Sequence, residues 1–424
     1  MNDLQKKFLG VLQLAVQQRS SDIHFLCGMA PALRVSDGLA PVNCPLFTGE
    51  EIAGVAQMII TDPVLRTKVT EIQDLDGSFE VKNLGRFRYN VYRTVQGLGI
   101  VLRVIPQQVP SIDDLKLPGV LRKIADASRG LILVTGATGS GKSSTLAAMI
   151  DYLNASQAMH ILTVEDPVEY LHSQKKCRIS QRELGRDTAS YAQALKSGLR
   201  QDPDVILVGE MRDHETLDIA LKASETGHLV FSTVHTSDAM KTIGRLISLY
   251  PAAEQDAARL RLADNLHAII SQRLIPDKNG KRVVAQEILI NNFGIAECIA
   301  DASKTGEIPS FIEKGKEVSG MQTFDQALVE LAQNGSITVA TALEYASNPA
   351  DFQRNLSFGN TATSIIDTSP EAKAEPDGIS LEQYPGLETE SAAPKEAPKP
   401  LRATAAAPPA PPGLPKIPKA PKAA

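Results

Sequence analysis

The segment Gly136–Ser143 constrains this chain more than any other, because its sequence G-A-T-G-S-G-K-S matches the pattern G-x-x-x-x-G-K-[ST] at every position. The apolar run Leu131–Thr135 before it predicts a strand, and Ser143–Leu153 after it predicts a helix. A phosphate-binding loop needs this context, because its backbone N–H groups and the helix N-terminus together hold phosphate oxygens. A chance glycine-rich turn is the alternative, and the flanking strand and helix argue against it. The chain is therefore predicted to bind a nucleoside triphosphate on an α/β fold.

The residue types in this loop predict individual roles. The Lys142 ammonium is expected to reach the β- and γ-phosphates, and the Ser143 hydroxyl is expected to ligate Mg²⁺. Glycines let such a loop turn and approach the anion closely. The loop alone does not separate ATP from GTP. The predicted nucleotide-binding residues are Gly136, Ala137, Thr138, Gly139, Ser140, Gly141, Lys142, Ser143 and Ser144.

Composition limits the classes of function. The 424 residues are 43% apolar and carry a formal net charge of -5, with 4% aromatic residues and no tryptophan. Two or three domains can form, but neither an overall basic charge nor aromatic platforms for nucleic acid are present. The four cysteines are scattered without a C-x-x-C pair, which argues against a zinc site or a disulfide framework. No apolar run approaches the roughly 18 residues that span a bilayer, so we expect a cytoplasmic protein.

The distribution of predicted elements divides the chain into five parts. Residues 1–107 are predicted to form a small α+β domain, which a proline-bearing linker over 108–117 joins to the next part. Over 118–294, strand-like and helix-like runs alternate as in a mainly parallel sheet covered by helices. Residues 295–355 are predicted to add helices. The remaining residues, 356–424, are rich in proline and alanine and are predicted to be a disordered tail that either solvates the protein or docks a partner.

Two apolar strand-like runs end in carboxylates. Ile161–Val164 is followed by Glu165, a predicted base or water-orienting group, because ligands bind at the carboxyl edge of open α/β sheets. Val205–Val208 is followed by Gly209 and Glu210, so that glycine replaces the usual Mg²⁺-holding aspartate. Glu210 is therefore predicted to hold the metal or its water indirectly. The alternatives are an ordinary acidic loop and a capping glutamate.

Two histidines, His228 and His235, flank the strand-like run Leu229–Thr233. A single histidine near a sheet is usually structural, but this pair brackets a strand of the predicted nucleotide-binding sheet. His235 is therefore a candidate sensor of the γ-phosphate. Zinc binding is not predicted, because no cysteine or histidine cluster completes a ligand set.

A predicted hairpin, Gly85–Arg93 with Gly97–Ile105, carries arginines on one face. Its first strand alternates apolar and polar residues, so that alternate side chains are expected to face a core. The opposite face is predicted to carry Arg86, Arg88 and Arg103. Such a face is usually solvated. In a ring-shaped ATPase, however, its arginines could reach phosphates of the same or a neighbouring subunit and stabilise the transition-state charge.

In their order along the chain, these segments resemble the secretion ATPase superfamily, and in particular the PilT-type family of type IV pilus retraction ATPases. The resemblance covers about residues 1–350 and is carried by several specific segments. They are Gly136–Ser143, Thr163–Tyr170, Leu199–Asp213 and Thr226–Thr236, with further matches at Ser21–His24, Gly85–Arg88, Gln272–Leu274 and Gly320–Leu328.

This resemblance implies a PAS-like first domain and a RecA-like core, assembled as a homohexameric ring that binds ATP and Mg²⁺ between the domains. Hydrolysis would drive depolymerisation of a pilus through an inner-membrane platform protein, so the protein would lie peripherally at the inner membrane. Other pilus ATPases are further implied partners, and nucleic acid is not. Metal contacts are implied for Ser143 and Glu210, and catalytic roles for Glu165, Glu210, His228, His235, Arg86, Arg88 and Arg103.

One departure from the family pattern keeps alternatives open. Ala296 stands where the retraction segment of the family has an arginine, which fits an accessory paralogue of the motor. A pilus-assembly or type II secretion ATPase is a second alternative, although those proteins usually carry an extra N-terminal domain and a tetracysteine zinc motif. A regulatory subunit without turnover is disfavoured, because Lys142, Glu165 and Glu210 are all present.

Overall fold

Two sheets of seven strands each organise the part of the chain that the structure describes. The computed structural model describes residues 2–35, 38–106, 108–349, 352–353 and 379–380. The predicted disorder of the C-terminal tail therefore concerns residues outside this description, apart from one two-residue strand.

The first sheet is antiparallel except for its short edge strand Ile379–Ser380, which runs parallel to its neighbour. Its other strands are β1 (Asp22–Leu26), β2 (Ala32–Val35), β3 (Gly38–Asn43), β4 (Asp74–Val81), β5 (Gly85–Thr94) and β6 (Gly97–Ile105). The order is Ile379–Ser380, β3, β2, β1, β6, β5, β4. The predicted hairpin is thus β5 and β6, in which Arg88 lies directly opposite Arg103.

Three helices accompany the first sheet: α1 (Asp3–Gln17), α2 (Gly49–Ile59) and α3 (Pro63–Thr67). Asn2 and Thr48 start the first two helices with reciprocal capping boxes, which satisfy backbone N–H groups that the helix leaves unpaired. Apolar side chains of both helices are buried against the sheet. The predicted alternation along β5 is confirmed, because Phe87, Tyr89 and Val91 are buried, at 0%, 3% and 0% exposure.

The second sheet is parallel except for one edge strand. Its strands are β7 (Gly130–Thr135), β8 (His160–Glu165), β9 (Arg178–Glu183), β10 (Val205–Val208), β11 (Leu229–Val234), β12 (Leu266–Pro276) and β13 (Arg282–Ile290). The order is β13-β12-β7-β11-β10-β8-β9, with β13 antiparallel. The predicted mainly parallel sheet is confirmed, and β9, β12 and β13 join the four strands predicted from the sequence.

Helices cover both faces of this sheet, so its interior strands bury apolar side chains on both faces. In β7, Leu131 and Leu133 belong to the core on one face, and Ile132 and Val134 belong to the core on the other. The helices of this part are α4 (Val120–Ala125), α5 (Lys142–Ser156), α6 (Tyr191–Gly198), α7 (His214–Glu225), α8 (Ala239–Ile247), α9 (Gln255–Asn265), α10 (Phe293–Ala300), α11 (Ile308–Lys314), α12 (Lys316–Ser319), α13 (Phe324–Gln333) and α14 (Val339–Tyr345).

Candidate active site

The loop Gly136–Gly141 joins the interior strand β7 to the N-terminus of α5. Its first glycine has a φ of 145°, and a Cβ there would lie 2.5 Å from the Gln272 carbonyl oxygen. Gly141 has a φ of 87° immediately before the helix. The loop therefore depends on glycine both for its left-handed turns and for its close approach to the neighbouring strand.

Lys142 is nearly buried, at 8% exposure, and its ammonium is turned back onto the loop. Nζ donates to the carbonyl oxygens of Gly136 at 2.9 Å and Ala137 at 3.0 Å. Burial lowers the pKa of Lys142, while the charges of Glu210 and Glu169 act in the opposite direction. The ammonium is thus held beside the phosphate-binding loop with only neutral hydrogen-bond acceptors, which anionic phosphate oxygens can replace.

A cavity of about 770 Å³ opens in front of this loop at the carboxyl edge of the second sheet. Among the predicted site residues, it brings together Thr138, Gly139, Gly141, Lys142, Ser143, Ser144, Glu165, Glu210, His235 and Arg103. Gly136, Ala137 and Ser140 complete the loop behind these residues. Of the predicted residues, the cavity therefore joins the phosphate-binding loop with Glu165, Glu210, His235 and Arg103. Further charged or polar residues line it as well, namely Asp166, Glu169, His172 and Arg212.

Glu165 ends β8 and points into this cavity. Its Oε1 accepts hydrogen bonds from Thr163 Oγ1 at 2.7 Å and from Gln181 Nε2 at 3.3 Å. Burial raises the pKa of Glu165, although both of these hydrogen bonds favour the ionised form. A carboxylate oriented in this way and made more basic by burial suits a group that orients or deprotonates water.

Glu210 follows β10 and lies between Arg212 and His235. Its Oε2 lies 2.7 Å from Arg212 Nη2, and its Oε1 lies 3.5 Å from His235 Nε2. Burial raises the pKa of Glu210, but the hydrogen bond and charge of Arg212, with the charges of His235 and Lys142, outweigh it and lower the pKa. Glu210 is thus held ionised, as a metal-organising carboxylate needs to be.

Close packing, which the sequence alone does not reveal, explains why position 209 is a glycine. A Cβ at this position would lie 2.9 Å from the Tyr191 hydroxyl oxygen and 3.3 Å from the Glu165 Cα. In addition, the Gly209 carbonyl oxygen accepts a 2.7 Å hydrogen bond from Thr233 Oγ1. Glycine at this position therefore lets the ends of β8 and β10 approach each other and brings the two carboxylates into one cavity.

The two histidines lie at opposite ends of β11. His235 follows the strand and lines the cavity. His228 precedes the strand, and its Nδ1 lies 2.9 Å from the carbonyl oxygen of Ala223 at the end of α7. A strand of this length separates its flanking residues by roughly 20 Å. His228 therefore does not line the cavity with His235, and its predicted catalytic role stays a prediction.

The three predicted arginines have three different partners. Arg103 lines the cavity, and its Nε donates to Asp22 Oδ1 at 2.9 Å. Arg86 forms a buried ion pair with Glu183 at 2.6 Å. Arg88 lies 3.9 Å from an exposed aspartate and is itself 38% exposed. Of the three, only Arg103 lines the cavity, and the predicted catalytic roles of Arg86 and Arg88 stay predictions.

Several residues of the site were not predicted as such, above all Gln272 on β12. Its Nε2 donates to the Ser140 carbonyl oxygen at 2.7 Å, and its Oε1 accepts from Thr145 Oγ1 at 3.0 Å. Gln272 is 1% exposed and thus braces the phosphate-binding loop from below. The segment Gln272–Leu274 carried part of the family resemblance, but a strand residue far from the loop in sequence gives no signal of this contact. Tyr170 was also not predicted as a site residue, although its hydroxyl oxygen lies 2.8 Å from Ser144 Oγ.

The oxygen donors in the cavity fit a magnesium ion bound together with a nucleotide. The Ser143 hydroxyl and the Glu210 carboxylate both line it, and Mg²⁺ takes one or two protein oxygens and leaves its other positions to phosphates and water. No cluster of three or more His, Cys, Asp or Glu suited to a metal occurs among the described residues. A metal held mainly by phosphate and water does not need such a cluster.

A phosphate-binding loop between a buried strand and a helix, facing two carboxylates on a parallel sheet, defines a P-loop nucleoside triphosphatase. The family model "Type II/IV secretion system protein" matches residues 63–345. The chain belongs to this family of secretion ATPases and is an ATPase.

Relatives that match over nearly their whole length support this assignment. The type IV pilus retraction ATPase PilT of Pseudomonas aeruginosa is 43% identical over 342 residues, which are 81% of this chain and 98% of that protein. The type IV pilus ATPase PilU of the same organism is 37% identical over 361 residues, 84% of this chain and 92% of the relative. Among solved structures, the pilus retraction motor PilT with bound ADP matches with a TM-score of 0.75 and 40% identity, covering 82% of this chain and 99% of that one.

These similarities confirm the predicted fold, which is a RecA-like ATPase core preceded by an α+β domain that contains the first sheet. They also confirm the PilT-type resemblance. Among the helices that the structure describes, none combines the length and the apolar character that crossing a membrane requires.

Proposed function

We propose that this chain is the subunit of a homohexameric motor that hydrolyses ATP and retracts type IV pili. The observation that carries the proposal is the single cavity that holds Lys142, Glu165, Glu210 and Arg103, in a chain similar over nearly the full length of a pilus retraction ATPase. We propose that the subunit has two main domains, residues 1–107 and residues 118–294. Residues 108–117 link these domains, and residues 295–355 add helices after the second.

Each side chain of the cavity has a role in the proposed hydrolysis. Lys142 exchanges its two loop carbonyls for phosphate oxygens and balances their charge. Glu165 orients the attacking water and accepts its proton, which its raised pKa favours. His235, beside Glu210, is placed to contact the γ-phosphate. Magnesium, held by Ser143 and through Glu210, would neutralise charge on the phosphates.

The mechanical output is proposed to come from movement between the two sheets. Arg103 reaches the cavity from the first sheet, whereas the phosphate-binding loop and both carboxylates belong to the second. A nucleotide that contacts both sheets favours one arrangement of them, and hydrolysis removes part of that preference. We propose that an inner-membrane platform protein receives this movement, that this partner holds the motor at the membrane, and that other pilus ATPases act beside it.

Deletion of the gene tests the direction of work. Loss of a retraction motor leaves extended pili, so we expect hyperpiliated cells that do not twitch, scored by electron microscopy of surface pili and by motility on agar. Bald cells would contradict the proposal and indicate an assembly ATPase.

One observation favours a second candidate, an accessory motor of the same type. Ala296 on α10 packs against the core where the family pattern has an arginine, and PilU is among the similar proteins. An accessory role predicts that deletion alone leaves twitching close to normal, while deletion together with a second retraction ATPase removes it. Restoring the side chain by Ala296→Arg, and testing whether the variant retracts pili without another motor, separates the two roles.

A further inference from the structure

Glu183, the last residue of β9, is a buried carboxylate for which the hydrolysis described above has no role. Its side chain is 8% exposed and its ion-pair partner, Arg86 on β5, is 12% exposed. Arg86 Nη2 lies 2.6 Å from Glu183 Oε2. Ser78 on β4 donates its hydroxyl to Glu183 Oε1 at 3.0 Å and accepts from Arg86 Nη2 at 2.8 Å. Three side chains thus close a hydrogen-bonded triangle between the two sheets.

The Glu183 carboxylate also contacts residues 165–170 at the end of β8, which carry three carboxylates and are called the acidic loop below. Its Oε2 accepts the backbone N–H of Val168 at 3.3 Å. Val168 lies in the loop that begins at Glu165, and the pairing of β8 with β9 places Glu183 directly opposite Glu165. Glu183 therefore receives hydrogen bonds from the first sheet and from the loop next to Glu165.

The buried Arg86–Glu183 pair is better explained by the arrangement of residues that it fixes than by a gain in the stability of the fold. Removing two charges from water costs about as much as their attraction returns, so a buried pair is a weak source of net stability. Its hydrogen bonds nevertheless fix distances and angles closely. In this chain they fix the first sheet relative to the acidic loop.

We infer that Glu183 is a positioning residue for ATP hydrolysis, which couples the first sheet to the loop carrying Glu165 through Arg86, Ser78 and the Val168 N–H. When the first sheet moves, the triangle moves or breaks, and the acidic loop loses its anchor. Arg86 accordingly acts through Glu183 rather than on the phosphates. The inference rests on ATP hydrolysis at this site and not on the proposed work on pili.

The first test is Glu183→Gln in the full chain, which keeps the shape and removes the charge. We expect kcat to fall about tenfold or more, because the acidic loop is displaced. Affinity for a fluorescent ADP analogue should change less than about threefold, because the contacts of Lys142 and Gln272 with the phosphate-binding loop are intact. The matched control is Glu215→Gln, which removes the same charge from an exposed pair with Lys196 at 2.7 Å and should leave kcat within about twofold.

A double variant tests whether the pair acts as one unit. If it does, Glu183→Gln with Arg86→Gln turns over no more slowly than either single variant, whereas independent roles multiply the two losses. Circular dichroism checks that each variant is folded. Should Glu183→Gln not fold, Ser78→Ala removes the two hydrogen bonds of the Ser78 hydroxyl with Glu183 and Arg86 but keeps the ion pair, so that no buried charge is left unpaired. In this variant, kcat should fall about threefold at unchanged ADP affinity.

Three results would overturn the inference: wild-type kcat in folded Glu183→Gln or Ser78→Ala, multiplied losses in the double variant, or a loss confined to ADP affinity. Wild-type protein assayed in parallel reports ATP hydrolysis itself, so failure of the inference is distinct from failure of the activity.

Discussion

The carboxyl edge of the second sheet and the arginine-bearing hairpin of the first hold their side chains in different ways. Glu165 ends β8 and Glu210 follows the adjacent parallel strand β10, so the backbone ladder between these strands fixes their separation. Arg88 and Arg103 are opposite each other in a ladder as well, yet each long side chain contacts a different partner. The backbone ladder thus fixes the first pair, whereas the second pair is held by long side chains with separate partners. In the proposed motor, the first region would carry out the reaction and the second would follow the movement between the sheets.

We expect the largest effect on kcat from a substitution at the carboxyl edge of the second sheet. We expect Glu165→Gln to lower kcat by about 10²- to 10³-fold, as loss of a general base does, while binding of a fluorescent ADP analogue persists. Because Glu165 must be ionised to act and burial raises its pKa, wild-type kcat should rise with pH across a range above the ordinary range of a glutamate. Unchanged kcat in Glu165→Gln, or a wild-type kcat that does not rise with pH above the ordinary pKa range of a glutamate, would contradict this role.

The two histidines at opposite ends of β11 offer a comparison within one strand. His235→Ala removes a side chain next to Glu210, and we expect kcat to fall about tenfold or more. His228→Ala removes a contact with the end of α7, so kcat should stay within about threefold. Steady-state phosphate release from both variants measures the difference. Equal losses would indicate that His228 reaches a nucleotide, for example one in a neighbouring subunit.

Within the hairpin, the expected effects are smaller and differ between the arginines. Arg103→Gln should lower kcat/KM for ATP by about tenfold, because its guanidinium lines the cavity. Arg88→Gln removes only an exposed ion pair of 3.9 Å and should change kcat/KM by less than about twofold. A larger effect of Arg88→Gln would contradict the distinction between Arg103, which lines the cavity, and Arg88, which does not.

The smallest effect on turnover is expected from Glu287, a buried carboxyl of the second sheet outside the active site. Burial raises its pKa to about 7, although it accepts the Ala239 N–H. Since the folded pKa exceeds the unfolded one, stability falls as pH rises from about 4.5 to about 7 and then levels off. Glu287→Gln removes this loss of stability. The free energy of unfolding of the variant minus that of the wild type should therefore be about 2 to 3 kcal/mol larger at pH 8 than at pH 5. Urea unfolding at both pH values measures it, and an equal difference at both would contradict the assignment.

The sequence was sufficient for features that depend on local patterns. The strand, loop and helix around Lys142 and the alternation in β5 could be predicted because chain neighbours determine them. β9 could not, because its sequence R-I-S-Q-R-E has one apolar residue and its strand conformation comes from pairing with β8. The brace by Gln272 and the Arg86–Glu183 pair are contacts between distant segments, which no spacing encodes. The separation of His228 from His235 could also have been predicted, since a six-residue strand lies between them.

The most direct test of the account is a chromosomal Glu165→Gln allele, because the protein stays present while only the reaction is removed. Surface pili are counted by electron microscopy and twitching is scored on agar, with immunoblotting to confirm a normal protein level. A motor that retracts pili by hydrolysis in this cavity predicts hyperpiliated cells without twitching. Cells that twitch normally, or that carry no pili, would contradict it.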